Sequence, residues 1–300
     1  MIKINNISKS FGDTVALKDI SLEVNESELF GLIGPDGAGK TTLFRIIATL
    51  MLPDTGKAEV MGLDCIKDYR ELRKHIGYMP GRFSLYQDLT VAENLKFYAT
   101  VFGTTIDENY HLIKDIYSHI EPFKKRQAGK LSGGMKQKLA LCCALIHAPR
   151  LIILDEPTTG VDAVSRSEFW EMLRRLKDEK ITLIVSTPYM DEAAKCDRVA
   201  LLQEGRILRQ DKPARVPDSF GEKLYAVKAE NKYRLITLLK SLPMVTSVNP
   251  FGDSVHITST EDKPADILQG LLQKELSGNI EISEIEPGIE DTFLKLMQER

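Results

Sequence analysis

The chain has 300 residues, 43% hydrophobic and 28% charged, with 40 Lys plus Arg against 43 Asp plus Glu and a formal net charge of -3. That length holds one large domain and a small one, and so even a charge balance lacks the basic footprint of nucleic-acid binding, so no nucleic-acid partner is expected. The longest apolar runs, residues 139–146 and 46–52, fall far short of the roughly 20 residues needed to cross a bilayer, and residues 1–5 carry no signal-peptide pattern. A cytoplasmic location follows as an expectation, with any membrane role exerted by docking onto another chain. Cys65, Cys142, Cys143 and Cys196 show no CxxC spacing and are expected to be reduced and structural. The five histidines are scattered, with no i, i+4 metal pair.

Residues 2–7 and 16–24 alternate apolar and polar side chains, as half-buried antiparallel strands do. Leu29-Phe30-Gly31-Leu32-Ile33 is a continuous apolar run, which predicts a buried parallel strand; a glycine-rich turn and a helix over 41–52 follow. Ile76-Gly77-Tyr78-Met79-Pro80 reads as a strand, and the stretch from about 85 to 128 is helical in pattern. Leu151-Ile152-Ile153-Leu154 predicts a second buried strand before a helix over 165–180, and residues 181–186 predict a third. Residues 199–203 and 206–210 flank Glu204-Gly205 as a hairpin. Strands alternating with helices predict an α/β core around a parallel sheet. After Pro217 the order changes to strand (224–229), helix (232–241), strand (245–249), strand (254–258), helix (264–276), strand (280–284) and helix (289–298). That is a ferredoxin-like βαββαβ unit with one extra helix, and it places domain boundaries at 1–217 and 218–300.

Gly34-Pro35-Asp36-Gly37-Ala38-Gly39-Lys40-Thr41-Thr42 matches G-x-x-x-x-G-K-[ST] between a buried strand and a helix. The glycines let the backbone wrap a phosphate chain, and successive N–H groups with the helix N-terminus supply positive potential. Lys40 is the candidate for neutralising β- and γ-phosphates, and the Thr41 hydroxyl is a candidate Mg²⁺ ligand. The alternative is a chance glycine-rich turn before a helix. Asp155-Glu156 ends the apolar run 151–154, at the strand edge where open parallel sheets bind ligands. Asp155 is a candidate for holding Mg²⁺ and Glu156 for orienting or deprotonating the attacking water. An acidic pair ending a strand is weak in isolation, since a helix N-cap explains it as well; downstream of a P-loop it becomes strong.

Leu131-Ser132-Gly133-Gly134-Met135-Lys136-Gln137-Lys138 resembles the LSGGQ signature of ABC ATPases. The resemblance spans residues 1 to about 217. It implies a P-loop NTPase core with an antiparallel β subdomain and a helical subdomain over about 85–135, followed by the small α+β ferredoxin-like unit. It implies ATP and Mg²⁺ as cofactors, with Ser132, Gly133 and Gly134 binding the γ-phosphate held by a second subunit, so that two ATP-binding subunits, identical or different, sandwich two nucleotides. Phe11 stands where an aromatic residue stacks on adenine, although a strand-end core aromatic fits as well. Thr159-Gly160-Val161-Asp162 resembles the loop that contacts the opposing subunit. The Gly-Pro-Asp-Gly of the P-loop, Met135, and the tail 286–293 resemble the ABC-2 type export group. The partner implied is an integral membrane permease, holding this chain at the inner face of the membrane, and the function implied is ATP hydrolysis that powers export.

Two positions depart from the family. Gly81 replaces a glutamine that helps place Mg²⁺ and water, and Pro188 replaces a histidine that contacts the γ-phosphate. Neither side chain can make the missing contact, and each such contact is worth about 2.7–4 kcal/mol in a transition state. Thr187 and Tyr189 are the neighbouring polar groups available to substitute in part. A weakly hydrolysing ATP-binding subunit paired with an active chain is therefore the second reading. A soluble ABC ATPase acting on ribosomes or DNA is the third, against which the sequence shows one P-loop and no charged coiled-coil insertion. Asp36 adds a negative charge to the phosphate loop, so its side chain is expected to face away from the nucleotide. Phe83, Leu85 and Tyr86 suit either a docking patch for the permease or ordinary boundary packing. The C-terminal unit reads equally as a regulatory or dimerising element and as a stabilising appendage; His256 stands alone on its strand, and Glu286-Pro287-Gly288 marks a turn.

Overall fold

The computed structural model describes residues 1–261, 264–276 and 278–298, and the chain divides into two compact units, Met1–Ala214 and Arg215–Arg300. In chain order the first unit runs β1 (Ile2–Phe11), β2 (Thr14–Val24), β3 (Leu29–Ile33), α1 (Lys40–Ile47), β4 (Thr55–Val60), β5 (Leu63–Asp64), α2 (Tyr69–His75), β6 (Ile76–Met79), α3 (Val91–Val101), α4 (Ile106–Tyr117), α5 (Gly133–Leu145), β7 (Leu151–Asp155), α6 (Ala163–Asp178), β8 (Thr182–Thr187), α7 (Met190–Ala193), β9 (Arg198–Gln203) and β10 (Arg206–Asp211). The second runs β11 (Leu224–Ala229), α8 (Lys232–Ser241), β12 (Val245–Phe251), β13 (Ser254–Ser259), α9 (Pro264–Glu275), β14 (Ile280–Ile285) and α10 (Ile289–Gln298).

The central sheet has the order β10-β9-β3-β8-β7-β6. Its β3, β6, β7, β8 and β9 pair in parallel and β10 closes the edge as the antiparallel arm of a hairpin. Every residue of β3, β7 and β8 is buried, which explains why these strands are nearly continuous apolar runs. The register sets Ile33 beside Thr187 and Asp155 beside Ser186. The carboxyl ends of β3, β8 and β7 therefore lie side by side, and the loops leaving them share one edge of the sheet. A second, antiparallel sheet runs β2-β1-β4-β5. Its alternating inward side chains Ile2, Ile4, Leu22 and Val24 share a core with Leu43, Phe44, Ile46 and Ile47 of α1 and Leu32 and Ile153 of the central sheet. Each such side chain fully buried stabilises the fold by about 1.5–3 kcal/mol.

The helix expected over 41–52 stops at Ile47, where Ala48 caps it and Thr49 turns into the left-handed region at φ 61°. The segment Thr55–Asp64 forms β4 and β5, and Tyr69–His75 forms α2, none of which was expected. The apolar signal of β4 is only Ala58 and Val60; its conformation comes from pairing with β1, which aligns Ile2 with Val60 and Ile4 with Ala58. Between β6 and β7 lie α3, α4 and α5 with two short 3-10 turns. Thr90 and Thr105 each open their helix with a reciprocal capping box to Glu93 and Glu108. Among the described residues no helix is long and apolar enough to cross a membrane.

The second unit is one antiparallel sheet in the order β12-β13-β11-β14, which is the ferredoxin-like arrangement its element order implies. Tyr225, Val227, Val255 and Ile257 pack on Leu235 and Leu239 of α8 and Leu268 and Leu272 of α9. The division at Ala214 and Arg215 falls ahead of the position expected near 218, within two short 3-10 turns at Pro213–Arg215 and Pro217–Ser219. His256 is not alone: its Nδ1 lies 2.7 Å from Asp291 Oδ1 on α10, and its ring stacks on Phe251 with centroids 4.3 Å apart.

Candidate nucleotide-binding site

The loop 34–39 joins β3 to α1, and its glycines are required by space as well as by torsion. A Cβ on Gly34 would stand 2.1 Å from the Leu202 carbonyl oxygen, and one on Gly39, at φ 107°, would stand 2.4 Å from that of Ala16. Gly37 meets no atom but sits at φ 79°, a conformation other residues reach at a cost of about 1–2 kcal/mol. Gly34 N–H donates to the Thr187 carbonyl, so the first residue of the loop is tied to the end of β8. Pro35 is half-buried, Ala38 is buried, and Asp36 is exposed.

Lys40 is 3% exposed. Its ammonium donates to the carbonyls of Gly34 at 2.8 Å and Pro35 at 2.9 Å, and Glu156 Oε1 lies 3.1 Å away. P-loop lysine and strand-end glutamate are thus brought into direct contact. Glu156 is held in the left-handed region at φ 49°; its N–H donates to both Ser186 Oγ and the Ser186 carbonyl. Ser186 Oγ in turn donates to Asp155 Oδ1 at 2.7 Å. Ser186 went unrecognised in the sequence; the signal was a polar pair, Ser186-Thr187, directly after the apolar run Leu183-Ile184-Val185. Thr41 and Thr42 are half-buried in the first turn of α1.

Ser132 caps α5, its Oγ accepting from Met135 N–H at 3.3 Å, with Gly133 and Gly134 in the first turn. A Cβ on Gly134 would come within 2.7 Å of Ser165 Oγ on α6. Asp162 caps α6 by accepting from Ser165 N–H at 2.9 Å, and that bond holds its carboxyl below the usual aspartate range. Both capping residues are therefore engaged within the chain, and neither forms a hydrogen bond or ion pair with Lys40 or Glu156. Phe11 is 49% exposed at the end of β1, so it is not a core aromatic. Gly81 lies against β7, where a Cβ would stand 3.0 Å from the Asp155 carbonyl oxygen. Pro188 follows directly on β8. Thr187 does not stand in for the missing histidine: it is fully buried, and its hydroxyl donates to Glu192 Oε2.

Beside these loops a cavity of about 290 Å³ is lined by Leu50, Tyr78, Phe83, Leu85, Phe102 and His147, among others. Tyr86 stays outside it, edge-on to Phe97 at 4.8 Å.

A glycine cradle at a helix N-terminus, a buried lysine within it, and a carboxylate pair at the end of another strand of the same parallel sheet define a P-loop nucleotide-binding protein. Residues 17–159 match the family model for ABC transporters. The Nod factor export ATP-binding protein I of Rhizobium sp. strain N33 is 35% identical over 299 residues, covering 98% of this chain and 96% of that protein. An Escherichia coli K12 protein named as a probable multidrug ABC transporter ATP-binding protein is 38% identical over 304 residues, 99% of this chain and 52% of its own length; the chain spans about half of that relative. A dimeric ATP-binding cassette in a post-hydrolysis state with ADP and Pi superposes with a TM-score of 0.64 at 26% identity, over 71% of this chain and 98% of that one. A cassette of a Clostridium perfringens ABC transporter complex does so at 0.65 and 26%, over 81% and 95%. The chain belongs to the ABC transporter ATP-binding protein family.

Proposed function

We propose that this chain is the ATP-binding and ATP-hydrolysing subunit of a membrane exporter, with residues 1–217 as its motor. The observation that carries the reading is the meeting of Lys40 and Glu156 at the mouth of the glycine cradle, 3.1 Å apart. ATP lays its phosphates along the N–H groups of residues 34–42, and Lys40 exchanges its loop carbonyls for phosphate oxygens. Glu156, released from Lys40, is then the free carboxylate beside the γ-phosphate, able to orient water and take its proton. Phe11 offers an exposed ring for the adenine.

The residues present fit Mg²⁺. Among the described residues no cluster of three metal-ligating side chains exists, which suits an ion that takes one or two protein oxygens and completes its shell with phosphates and water. Thr41 and Asp155 would hold it, and Ser186 fixes the Asp155 carboxylate. When bound, the ion neutralises charge on the β- and γ-phosphate oxygens.

Ser132, Gly133, Gly134 and Asp162 form no hydrogen bond with the Lys40–Glu156 pair, and in this reading they complete the site of a second subunit, identical or different, in an ATP-sandwich dimer. Two relatives are named as export or multidrug transporter ATP-binding proteins, which supports export as the task and an integral membrane permease as partner. The cavity lined by Phe83, Leu85 and Phe102 is the groove for that permease, and through it the chain sits on the cytoplasmic face of the membrane.

Gly81 and Pro188 favour a second reading, an ATP-binding subunit that cleaves slowly beside an active partner. Steady-state Mg·ATP hydrolysis separates them, with Glu156→Gln as control and the permease present or absent. Turnover that disappears in Glu156→Gln is expected. Tight ATP binding without turnover above the control in either setting would exclude the motor.

A further inference from the structure

Glu192 is a carboxylate with 0% exposure. Among the described residues no lysine, arginine or histidine forms an ion pair with it, whereas the buried Glu28 has Arg198 at 3.2 Å. Its two oxygens are divided between two hydroxyls. Oε1 accepts from Thr158 Oγ1 at 2.8 Å and Oε2 accepts from Thr187 Oγ1. Tyr189 N–H donates to Thr187 Oγ1, which leaves the Thr187 proton for Glu192. Thr158 and Thr187 are themselves 2% and 0% exposed.

The two hydroxyls sit on different loops. Thr158 stands two residues after Glu156, on the turn in which Thr159 N–H returns to the Glu156 carbonyl. Thr187 immediately precedes Pro188, and its carbonyl accepts from Gly34 N–H at 3.2 Å. One carboxylate therefore ties together the glutamate loop, the proline loop and the first residue of the phosphate cradle. A side chain whose task was only to fill this space would be apolar, since a polar group is costly to bury unless it is hydrogen-bonded. What the carboxylate adds is two directional bonds that fix the separation of the loops.

We propose that Glu192 is a positioning residue for the γ-phosphate end of the site, clamping the Thr158 and Thr187 loops at the spacing that a triphosphate needs. This rests on the nucleotide-site reading above. Where Pro188 contributes no side-chain contact, the clamp supplies the rigidity that the loop otherwise lacks. ADP lacks the γ-phosphate, so the clamp favours ATP over ADP.

The test measures ATP and ADP dissociation constants and Mg·ATP turnover for the full chain and for Glu192→Gln, Thr158→Val and Thr187→Val. Glu28→Gln, at the other edge of the sheet, controls for a general loss of stability. Each clamp variant is expected to lower the ATP-to-ADP affinity preference about tenfold, the lower end of what outer-shell substitutions do to a site. Turnover should fall by a similar factor, with KM for ATP rising. Glu192→Gln combined with Thr187→Val is expected to do no more than either alone. Should Glu192→Gln fail to fold, the two valine variants keep the carboxylate and remove one bond each. Folded variants with unchanged preference and turnover, or a Glu28→Gln variant that shifts the preference equally, would overturn the proposal. A wild-type chain that does not hydrolyse ATP would sink the motor reading alone, because the affinity preference still decides the clamp.

Discussion

Gly81 and Pro188 matter because of what surrounds them. Gly81 rests against the backbone of Asp155, and Thr187, the nearest hydroxyl to Pro188, is spent on Glu192. Thr187 therefore replaces neither absent contact, and in the proposed motor the γ-phosphate end is the short-handed part of the site. The double variant Gly81→Gln, Pro188→His is expected to raise Mg·ATP turnover at least about a hundredfold, the usual worth of one transition-state donor, read in the same steady-state assay. A Cβ at 81 needs the Asp155 carbonyl to give by a few tenths of an ångström, so Pro188→His alone should show the cleaner gain. Both departures were legible in the sequence, since each is a change of residue type inside a recognisable motif. Ser186, Thr158 and Glu192 were not. Their roles are hydrogen bonds between residues that the fold, and no local spacing, brings together.

At the level of elements, the helices declare themselves through their ends and the strands through their neighbours. Thr90 with Glu93 and Thr105 with Glu108 mark the starts of α3 and α4 in the sequence itself. β4 has no such mark: its Thr-Gly-Lys-Ala-Glu-Val is half polar and becomes a strand because β1 lies alongside. Between α5 and α6 the tie is ionic, Lys138 Nζ to Glu168 Oε2 at 2.7 Å. That hydrogen bond and the charge of Lys138 hold the Glu168 carboxyl below its ordinary value of 4.5. A carboxylate with a depressed folded pKa stabilises the protein above its unfolded pKa and loses that contribution as pH falls through the folded one. The gap in urea midpoint between wild type and Glu168→Gln should therefore be present at pH 7 and close progressively below about pH 4.5. An equal gap at both extremes would mean the pair contributes through packing.

Across the whole molecule, the α/β core and the ferredoxin-like order were readable from the alternation of strand and helix patterns. The division after Ala214 falls among short turns at residues 213–219 that carry no composition break. All four cysteines are buried. Burial pushes the Cys65 thiol up to about 12 and raises those of Cys142, Cys143 and Cys196 as well, so none is a thiolate near neutrality. A thiol-reactive dye at pH 8 is expected to label none of them in the native chain and all four after denaturation; fast native labelling at any one would show that its surroundings open readily. The contact between Lys40 and Glu156 has a consequence of its own. With Lys40 already neutralised by Glu156, the chain carries a tethered competitor for its own anion site. A lone phosphate or sulfate must outbid a carboxylate that never diffuses away, while ATP arrives with enough charge and enough N–H contacts to displace it. In the proposed motor, the glutamate assigned to ready water for attack would thus double as a filter against every anion too small to be fuel.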